Sequence, residues 1–242
     1  MKSRLLLFLC LVLPLPAAPH LHLAGDSTMA DKERKTPNPE YGWGEMLPRY
    51  FADPAMVINY AQNGRSTKSF IDEGRWQKLV DALQPGDWVI IQFGHNDAKK
   101  EDPKRFTEPR GSYQENLRRF VADVRAKGAN PILATPVARR KWGDAGKLVD
   151  THGDYPAALR AVADELKVPL LEMNKLTAAL EEGHGPEGSK RLHLWIPAGV
   201  YARKPDGWKD DTHYCAYGAD RVAALAVQEI IRLQLPLAEF LK

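Results

Sequence analysis

The chain has 242 residues, of which 44% are hydrophobic and 27% are charged, with a formal net charge of +3. This length fits one domain, and this balance is typical of a globular protein rather than a disordered or membrane-embedded one. No basic stripe interleaved with aromatic residues is present, so the composition offers no support for a nucleic-acid partner. It carries no signal for a particular oligomeric state.

The first residues have the layout of a secretory signal peptide. Lys2 and Arg4 precede an apolar run over residues 5–15, and a small-residue exit follows that run. Because the run is too short to span a bilayer comfortably, we predict a cleaved signal peptide over residues 1–18. The mature protein is then secreted or periplasmic, without stable membrane association. A buried first strand is the alternative interpretation of this run.

Short apolar runs alternate with stretches of helical spacing along the rest of the chain, which favours a parallel sheet wrapped by helices. The runs predict strands over residues 20–24, 55–60, 87–93, 131–135 and 168–172. The helical spacing predicts helices over residues 66–83, 113–127, 157–166 and 219–233. Residues 183–207 mix Gly, Pro, His and Trp, and we expect a long surface excursion there, with one short helix, beside a functional site.

Polar residues follow three of the predicted strands, at the sheet edge where such folds bind ligands. Ser27 follows the first strand within Gly25-Asp26-Ser27, Gly64 follows the second, and Asn96 follows the third. A serine at a helix start, a glycine amide and an asparagine amide can stabilise an oxyanion together. Each also has a plainer interpretation: a helix cap for Ser27, a tight turn for Gly64 and a polar turn for Asn96.

Asp210 and His213 supply the groups that would activate Ser27. A serine hydroxyl needs a base to take its proton and a third group to orient that base. The spacing of three lets one turn of chain place the Asp210 carboxylate against one imidazole nitrogen while the other faces Ser27. The alternatives are a capping region before the last helix, pairing of His213 with the adjacent Asp211, and a metal site. The chain has no metal-type spacing of His or Cys, so we predict no metal.

These blocks, with Tyr41-Gly42-Trp43-Gly44 and residues 59–67, resemble the SGNH (GDSL-type) hydrolases and, within them, the rhamnogalacturonan acetylesterase branch. The resemblance implies a three-layer α/β/α flavodoxin-like fold with a five-stranded parallel sheet, as one domain over residues 19–242. It implies Ser27, Asp210 and His213 as catalytic residues and Ser27, Gly64 and Asn96 as the oxyanion hole. It also implies removal of acetyl groups from a pectic polysaccharide without a cofactor.

Small acyl groups need little apolar pocket, so we expect a shallow polar groove. Charged and aromatic residues near these blocks are the candidate sugar contacts. The candidates are Arg65, Lys68, Trp195, Trp208 and Tyr214. The expected partner is an acetylated polysaccharide or oligosaccharide. The alternatives are a GDSL-type esterase for another acetylated glycan or a short-chain lipid ester, and a non-catalytic carbohydrate-binding protein that kept the fold.

Overall fold

The predicted strands pair into one five-stranded parallel sheet. The computed structural model describes residues 18–242, so residues 1–17 of the predicted signal peptide lie outside the described residues. The strands are Leu21–Gly25 (β1), Val57–Asn59 (β2), Trp88–Gln92 (β3), Asn130–Ala134 (β4) and Leu170–Leu171 (β5). They are ordered β2-β1-β3-β4-β5, and all neighbouring pairs are parallel. The prediction of a five-stranded parallel sheet is confirmed.

Helices cover both faces of this sheet. They are Trp43–Met46 (α1), Thr67–Asp72 (α2), Arg75–Ala82 (α3), Ser112–Ala126 (α4), Tyr155–Leu166 (α5), Met173–Gly188 (α6, kinked at Gly185) and Ala216–Arg232 (α7). Short 3-10 turns occupy Leu47–Tyr50, Pro54–Met56, Ser189–Leu192 and Pro236–Phe240.

The alternation of buried side chains along β3 shows why three layers form. Trp88 and Ile90 point into one apolar cluster with residues of α1 and α7, whereas Val89 and Ile91 point into a second cluster with residues of α2 to α5. A strand that is apolar on both faces needs helices on both sides to exclude water. Fully burying one such side chain stabilises the fold by about 1.5–3 kcal/mol. The three-layer α/β/α fold expected from the resemblance is confirmed.

The helices α1 and α6 were not predicted, and two of the predicted parts differ in the structure. Residues 66–83 form two helices rather than one, because Gly74 adopts a left-handed conformation (φ 69°) between α2 and α3. The expected surface excursion contains the strand His193–Ile196 (β6), which pairs antiparallel with Trp208–Tyr214 (β7). Asp210 and His213 therefore lie within a strand, not in a cap before the last helix.

The strand order places a crevice between β1 and β3. β2 and β3 flank β1 on opposite sides within the sheet, so the connections that follow β1 and β3 run in opposite directions. Ligands bind at such a switch point in open parallel sheets. Among residues 18–242, no helix is long and apolar enough to cross a membrane.

Candidate active site

Ser27 lies in a tight turn directly after β1, and Asp26 builds that turn. The Asp26 carboxylate is fully buried. It accepts hydrogen bonds from the Thr28 N–H at 2.9 Å, the Thr28 hydroxyl at 2.8 Å and Nδ1 of His95 at 3.1 Å. The sequence placed Ser27 at the start of a helix, but the next helix, α1, begins only at Trp43. The helix-cap interpretation of Ser27 is therefore wrong.

A chain of buried polar contacts fixes this turn to the sheet. The Gln92 amide donates to the Thr28 hydroxyl at 2.9 Å, and its oxygen accepts from the Trp43 indole at 2.9 Å. Burial raises the pKa of Asp26, but the contact with His95 and the bonds from Thr28 lower it by more, to about 2. Asp26 therefore stays ionised at neutral pH and holds the Ser27 backbone in place.

The distant sequence blocks meet at Ser27. The Ser27 hydroxyl lies 2.9 Å from Nε2 of His213, and Nδ1 of His213 lies 2.8 Å from Oδ2 of Asp210. The other oxygen of Asp210 accepts the backbone N–H groups of Thr212 at 2.8 Å and His213 at 2.9 Å. Asp210 is thus held by its own strand, and it orients the imidazole so that Nε2 is the nitrogen available to the serine.

The charges of this pair differ from those of free side chains. Burial raises the pKa of Asp210, but hydrogen bonds from His213 and Thr212 and the charge of His213 lower it to about 2. Burial lowers the pKa of His213, whereas Asp210 raises it by more, so the pKa lies above the ordinary value of 6.5. An imidazole with a raised pKa beside a carboxylate is a stronger base for a serine proton. Asp211 instead pairs with Arg140 at 2.7 Å, so it is not the partner of His213.

Gly64 lies beside the Ser27 turn with a free backbone donor. The Gln62 N–H donates to the Gly25 carbonyl at 3.0 Å, which ties the chain after β2 to the end of β1. Gly64 has a φ of 76°, a left-handed conformation that favours glycine. Within residues 18–242, the N–H groups of Ser27 and Gly64 have no hydrogen-bond acceptor. Two unpaired N–H groups beside a nucleophile are suited to bind a developing oxyanion.

Asn96 lies after β3, and its neighbours fix the orientation of its side chain. Nδ2 donates to the Arg65 carbonyl at 3.1 Å, and Nη1 of Arg105 lies 3.4 Å from Oδ1. Because Nδ2 carries two hydrogens, one remains for a ligand. The neighbouring Asp97 accepts from the hydroxyls of Thr67 and Thr107 and anchors this loop. Burial raises the pKa of Asp97 to about 7, against the effect of those bonds.

The predicted substrate contacts have different surroundings. Arg65 pairs with Glu73 at 2.9 Å, and Lys68 pairs with Asp72 on the exposed side of α2. The Trp195 indole donates to Asp211 at 2.7 Å, and Arg140 and Lys190 lie 4.8 and 4.5 Å from the centre of its ring. Trp208 stacks on Tyr201 and is half-buried. For these four residues, sugar contact stays a prediction.

Tyr214 is not a substrate contact, and that prediction is wrong. Its side chain is 1% exposed and stacks on the buried ring of His193 at 4.9 Å between centroids. The side chains of β7 alternate between its two faces, so the residue after His213 points into the core while His213 faces Ser27. Sequence proximity to the catalytic block was therefore misleading.

Three residues beside the site were not predicted. Lys32 and Glu40 lie close to Ser27 and His213, and Arg105 contacts Asn96. All three are charged residues in charge-rich loops, so nothing local marks them. In the part of the chain that the structure describes, no group of three or more His, Cys, Asp or Glu side chains could hold a metal ion.

Comparison with known proteins gives a family and a set of relatives. The model of the GDSL-like lipase/acylhydrolase family matches residues 23–221. This range includes Ser27, Gly64, Asn96, Asp210 and His213. A rhamnogalacturonan acetylesterase of Bacillus subtilis (strain 168) is 41% identical over 219 residues, covering 90% of this chain and 92% of that protein. The rhamnogalacturonan acetylesterase of Emericella nidulans is 32% identical over 252 residues, covering 96% of this chain and 92% of that protein.

Solved structures agree on the fold. YxiM of Bacillus subtilis superposes with a TM-score of 0.76 at 29% identity, covering 90% of this chain and 57% of that longer one. An acetylxylan esterase of Geobacillus stearothermophilus superposes with a TM-score of 0.60 at 20% identity, covering 88% of this chain and 94% of that one. At such low identity, the second match concerns the fold alone.

Proposed function

The chain belongs to the GDSL-like lipase/acylhydrolase family, and from this premise we propose that it is a secreted serine esterase that removes acetyl groups from rhamnogalacturonan. The observation that carries the proposal is the hydrogen-bonded series Ser27, His213 and Asp210 beside the backbone N–H groups of Ser27 and Gly64, which have no acceptor among the described residues. This arrangement contains a nucleophile, a base, an orienting carboxylate and an oxyanion site, which acyl transfer requires.

In the first half of the reaction, Ser27 becomes acetylated. Nε2 of His213 takes the proton from Ser27 as Oγ attacks the carbonyl carbon of the acetyl ester. The negative charge that develops on the carbonyl oxygen is stabilised by the N–H groups of Ser27 and Gly64 and by Nδ2 of Asn96. The Asp210 carboxylate stabilises the imidazolium that forms. The carbon–oxygen bond to the sugar then breaks, and the sugar oxygen takes the proton from Nε2.

In the second half, water releases acetate by the same groups. Nε2 of His213, now neutral, takes a proton from water as the water oxygen attacks the acetyl carbonyl on Ser27. The oxyanion site stabilises the second tetrahedral intermediate. Its collapse breaks the ester bond to Oγ, and Nε2 returns the proton to Ser27. No cofactor takes part in either step, and the free enzyme is restored.

The choice of substrate is supported by the relatives and by the leader. Proteins named rhamnogalacturonan acetylesterases align with nearly the whole chain. The predicted signal peptide over residues 1–18 would deliver the protein to a polymer outside the cell. Residues 19–242 then make up the catalytic domain, and the natural partner is an acetylated polysaccharide or oligosaccharide.

Two measurements on purified protein test the proposal. The first is turnover of p-nitrophenyl acetate by wild type and Ser27→Ala, for which we expect activity only in wild type. The second is acetate release from acetylated rhamnogalacturonan and acetylated xylan, for which we expect faster release from rhamnogalacturonan. Absence of wild-type turnover on every ester would refute the esterase, whereas equal release from both polymers would refute the pectic substrate alone.

A further inference from the structure

Lys32 and Glu40 form a charged pair beside Ser27 and His213, and the proposed mechanism does not use it. The Lys32 side chain is 1% exposed, and its ammonium lies 2.7 Å from Oε1 of Glu40. The same ammonium donates to the Ser27 carbonyl and, at 2.7 Å, to the side-chain oxygen of Asn63. Because Asn63 precedes Gly64, Lys32 joins the nucleophile turn to the loop that carries the second oxyanion N–H.

The backbone places Glu40 at the reacting edge of His213. The Tyr41 N–H donates to the Tyr214 carbonyl at 2.9 Å, which aligns the chain before Tyr41 with the end of β7. Oε1 of Glu40 consequently lies 4.0 Å from Nε2 of His213, the nitrogen that faces the Ser27 hydroxyl. This separation is too long for a hydrogen bond, so Glu40 does not compete with Ser27 for Nε2.

The Glu40 carboxylate has acceptor capacity that the protein does not fill. Among residues 18–242, Oε1 pairs with the Lys32 ammonium and Oε2 has no hydrogen-bond donor. The side chain is 16% exposed, and Oε2 is open to solvent. An ionised carboxylate can accept about four hydrogen bonds. During the reaction, Nε2 of His213 must reach the oxygen of the leaving alcohol. Because Glu40 lies close to Nε2, its carboxylate is a strong acceptor beside the leaving alcohol.

We propose that Glu40 is a specificity-determining residue: its carboxylate accepts a hydrogen bond from a free hydroxyl on the sugar carbon next to the acetylated one. This inference rests on the proposed function. A sugar ester carries such a hydroxyl beside its leaving oxygen, whereas a simple alkyl or aryl ester does not. A site built to bind a hydroxyl rejects substrates that lack it, because the bound sugar then shields Oε2 from water without giving it a hydrogen bond.

The test compares two small substrates that differ in one hydroxyl. The first is a methyl galacturonoside with one acetyl ester and a free hydroxyl on the neighbouring ring carbon. The second is the deoxy analogue that lacks only this hydroxyl. The enzymes are wild type, Glu40→Ala, Glu40→Gln and the control Glu33→Gln. Glu33 lies exposed in the same loop, and within residues 18–242 its carboxylate accepts only a local backbone N–H from Lys35.

We expect wild type to prefer the hydroxyl-bearing substrate in kcat/KM. Glu40→Ala should lower kcat/KM for that substrate by about 10–100-fold, the range for a hydrogen bond to a charged group, and leave the deoxy analogue much less affected. Glu40→Gln keeps a neutral acceptor for Lys32 and for the hydroxyl, so its loss should be smaller. Glu33→Gln should match wild type on both substrates.

The ratio of the two kcat/KM values separates this role from others. If removing Glu40 perturbs Lys32, Ser27 or the charge on His213, both substrates lose rate equally and the ratio stays at its wild-type value. That result would overturn the proposal, as would a wild-type ratio near one. Failure of wild type to hydrolyse either sugar ester, with p-nitrophenyl acetate still turned over, would instead refute the proposed carbohydrate function.

Discussion

Replacing Asp210 by Asn changes one contact of His213 and preserves the others. In the native protein, Oδ1 of Asp210 accepts two backbone N–H groups, while Oδ2 accepts Nδ1–H of His213 at 2.8 Å. An asparagine oxygen can keep the two backbone bonds, so the strand should fold normally. Its NH₂ group then faces Nδ1 and can only donate. The neutral imidazole must therefore place its proton on Nε2, where it cannot accept the proton of Ser27.

The loss should be large because it affects every turnover. The wrong tautomer removes the base, and the imidazolium also loses its neighbouring carboxylate. An Asp-to-Asn change with these consequences lowers kcat by about 10⁴-fold in a serine protease triad. At 1.36 kcal/mol for each factor of ten, this is about 5.5 kcal/mol of transition-state stabilisation. We expect a loss of that order for Asp210→Asn.

The assay is kcat for p-nitrophenyl acetate near neutral pH, with Asp211→Asn as a matched control. Asp211 is the adjacent carboxylate, and it contacts Arg140 and Trp195 rather than His213. The control should stay within about threefold of wild type, because Asp211 does not contact His213 and its side chain is 46% exposed. Retention of more than a tenth of wild-type activity by Asp210→Asn, with a normal fold, would refute the role of Asp210. A large loss in Asp211→Asn would indicate that Asp211, and not Asp210, orients His213.

Three further predictions follow from other contacts. Because His213 acts as a base only when neutral and its pKa is raised above 6.5, kcat/KM should fall with decreasing pH through a midpoint above 6.5; a midpoint below 6 would contradict the Asp210 contact. Asn96→Ala should lower kcat by about 10²–10³-fold, the effect of losing one oxyanion donor, and an unchanged kcat would exclude Asn96 from that role. Tyr214→Phe removes a buried hydroxyl that has no hydrogen-bond partner in the described part of the chain, so we expect unchanged acetate release and a melting temperature equal to or a few degrees above wild type; loss of activity without loss of stability would restore Tyr214 as a substrate contact.

The sequence predicted the central sheet because its strands are unusually clear. A run such as β3 is apolar on both faces, as is typical of a strand that helices cover on both sides. A helix on the protein surface would instead need polar residues on its exposed face. The family and the fold, both expected from the motifs, are confirmed. The polar residues after β1, β2 and β3 were predicted to lie together for a physical reason: carboxyl ends of parallel strands share one edge.

The remaining parts depend on contacts that no local pattern records. The antiparallel pair β6 and β7 was missed because β6 is only four residues long. β7 is mostly half-buried and rich in charge, so it shows neither an apolar run nor a regular alternation. Tyr214 was misassigned because strand alternation could not be applied to a strand that was not predicted. Lys32 and Glu40 become informative only when folding brings their loop against Ser27 and β7.

The central claim is that an acetyl group is transferred to Ser27 during hydrolysis. It is tested most directly by quenching the enzyme in acid during turnover of an acetylated substrate and locating the acetyl group by peptide mass spectrometry. We expect the acetyl group on the peptide that contains Ser27 in wild type, and neither acetylation nor acetate release in Ser27→Ala. An acetyl group on another residue, or acetate release by Ser27→Ala at the wild-type rate, would contradict the account.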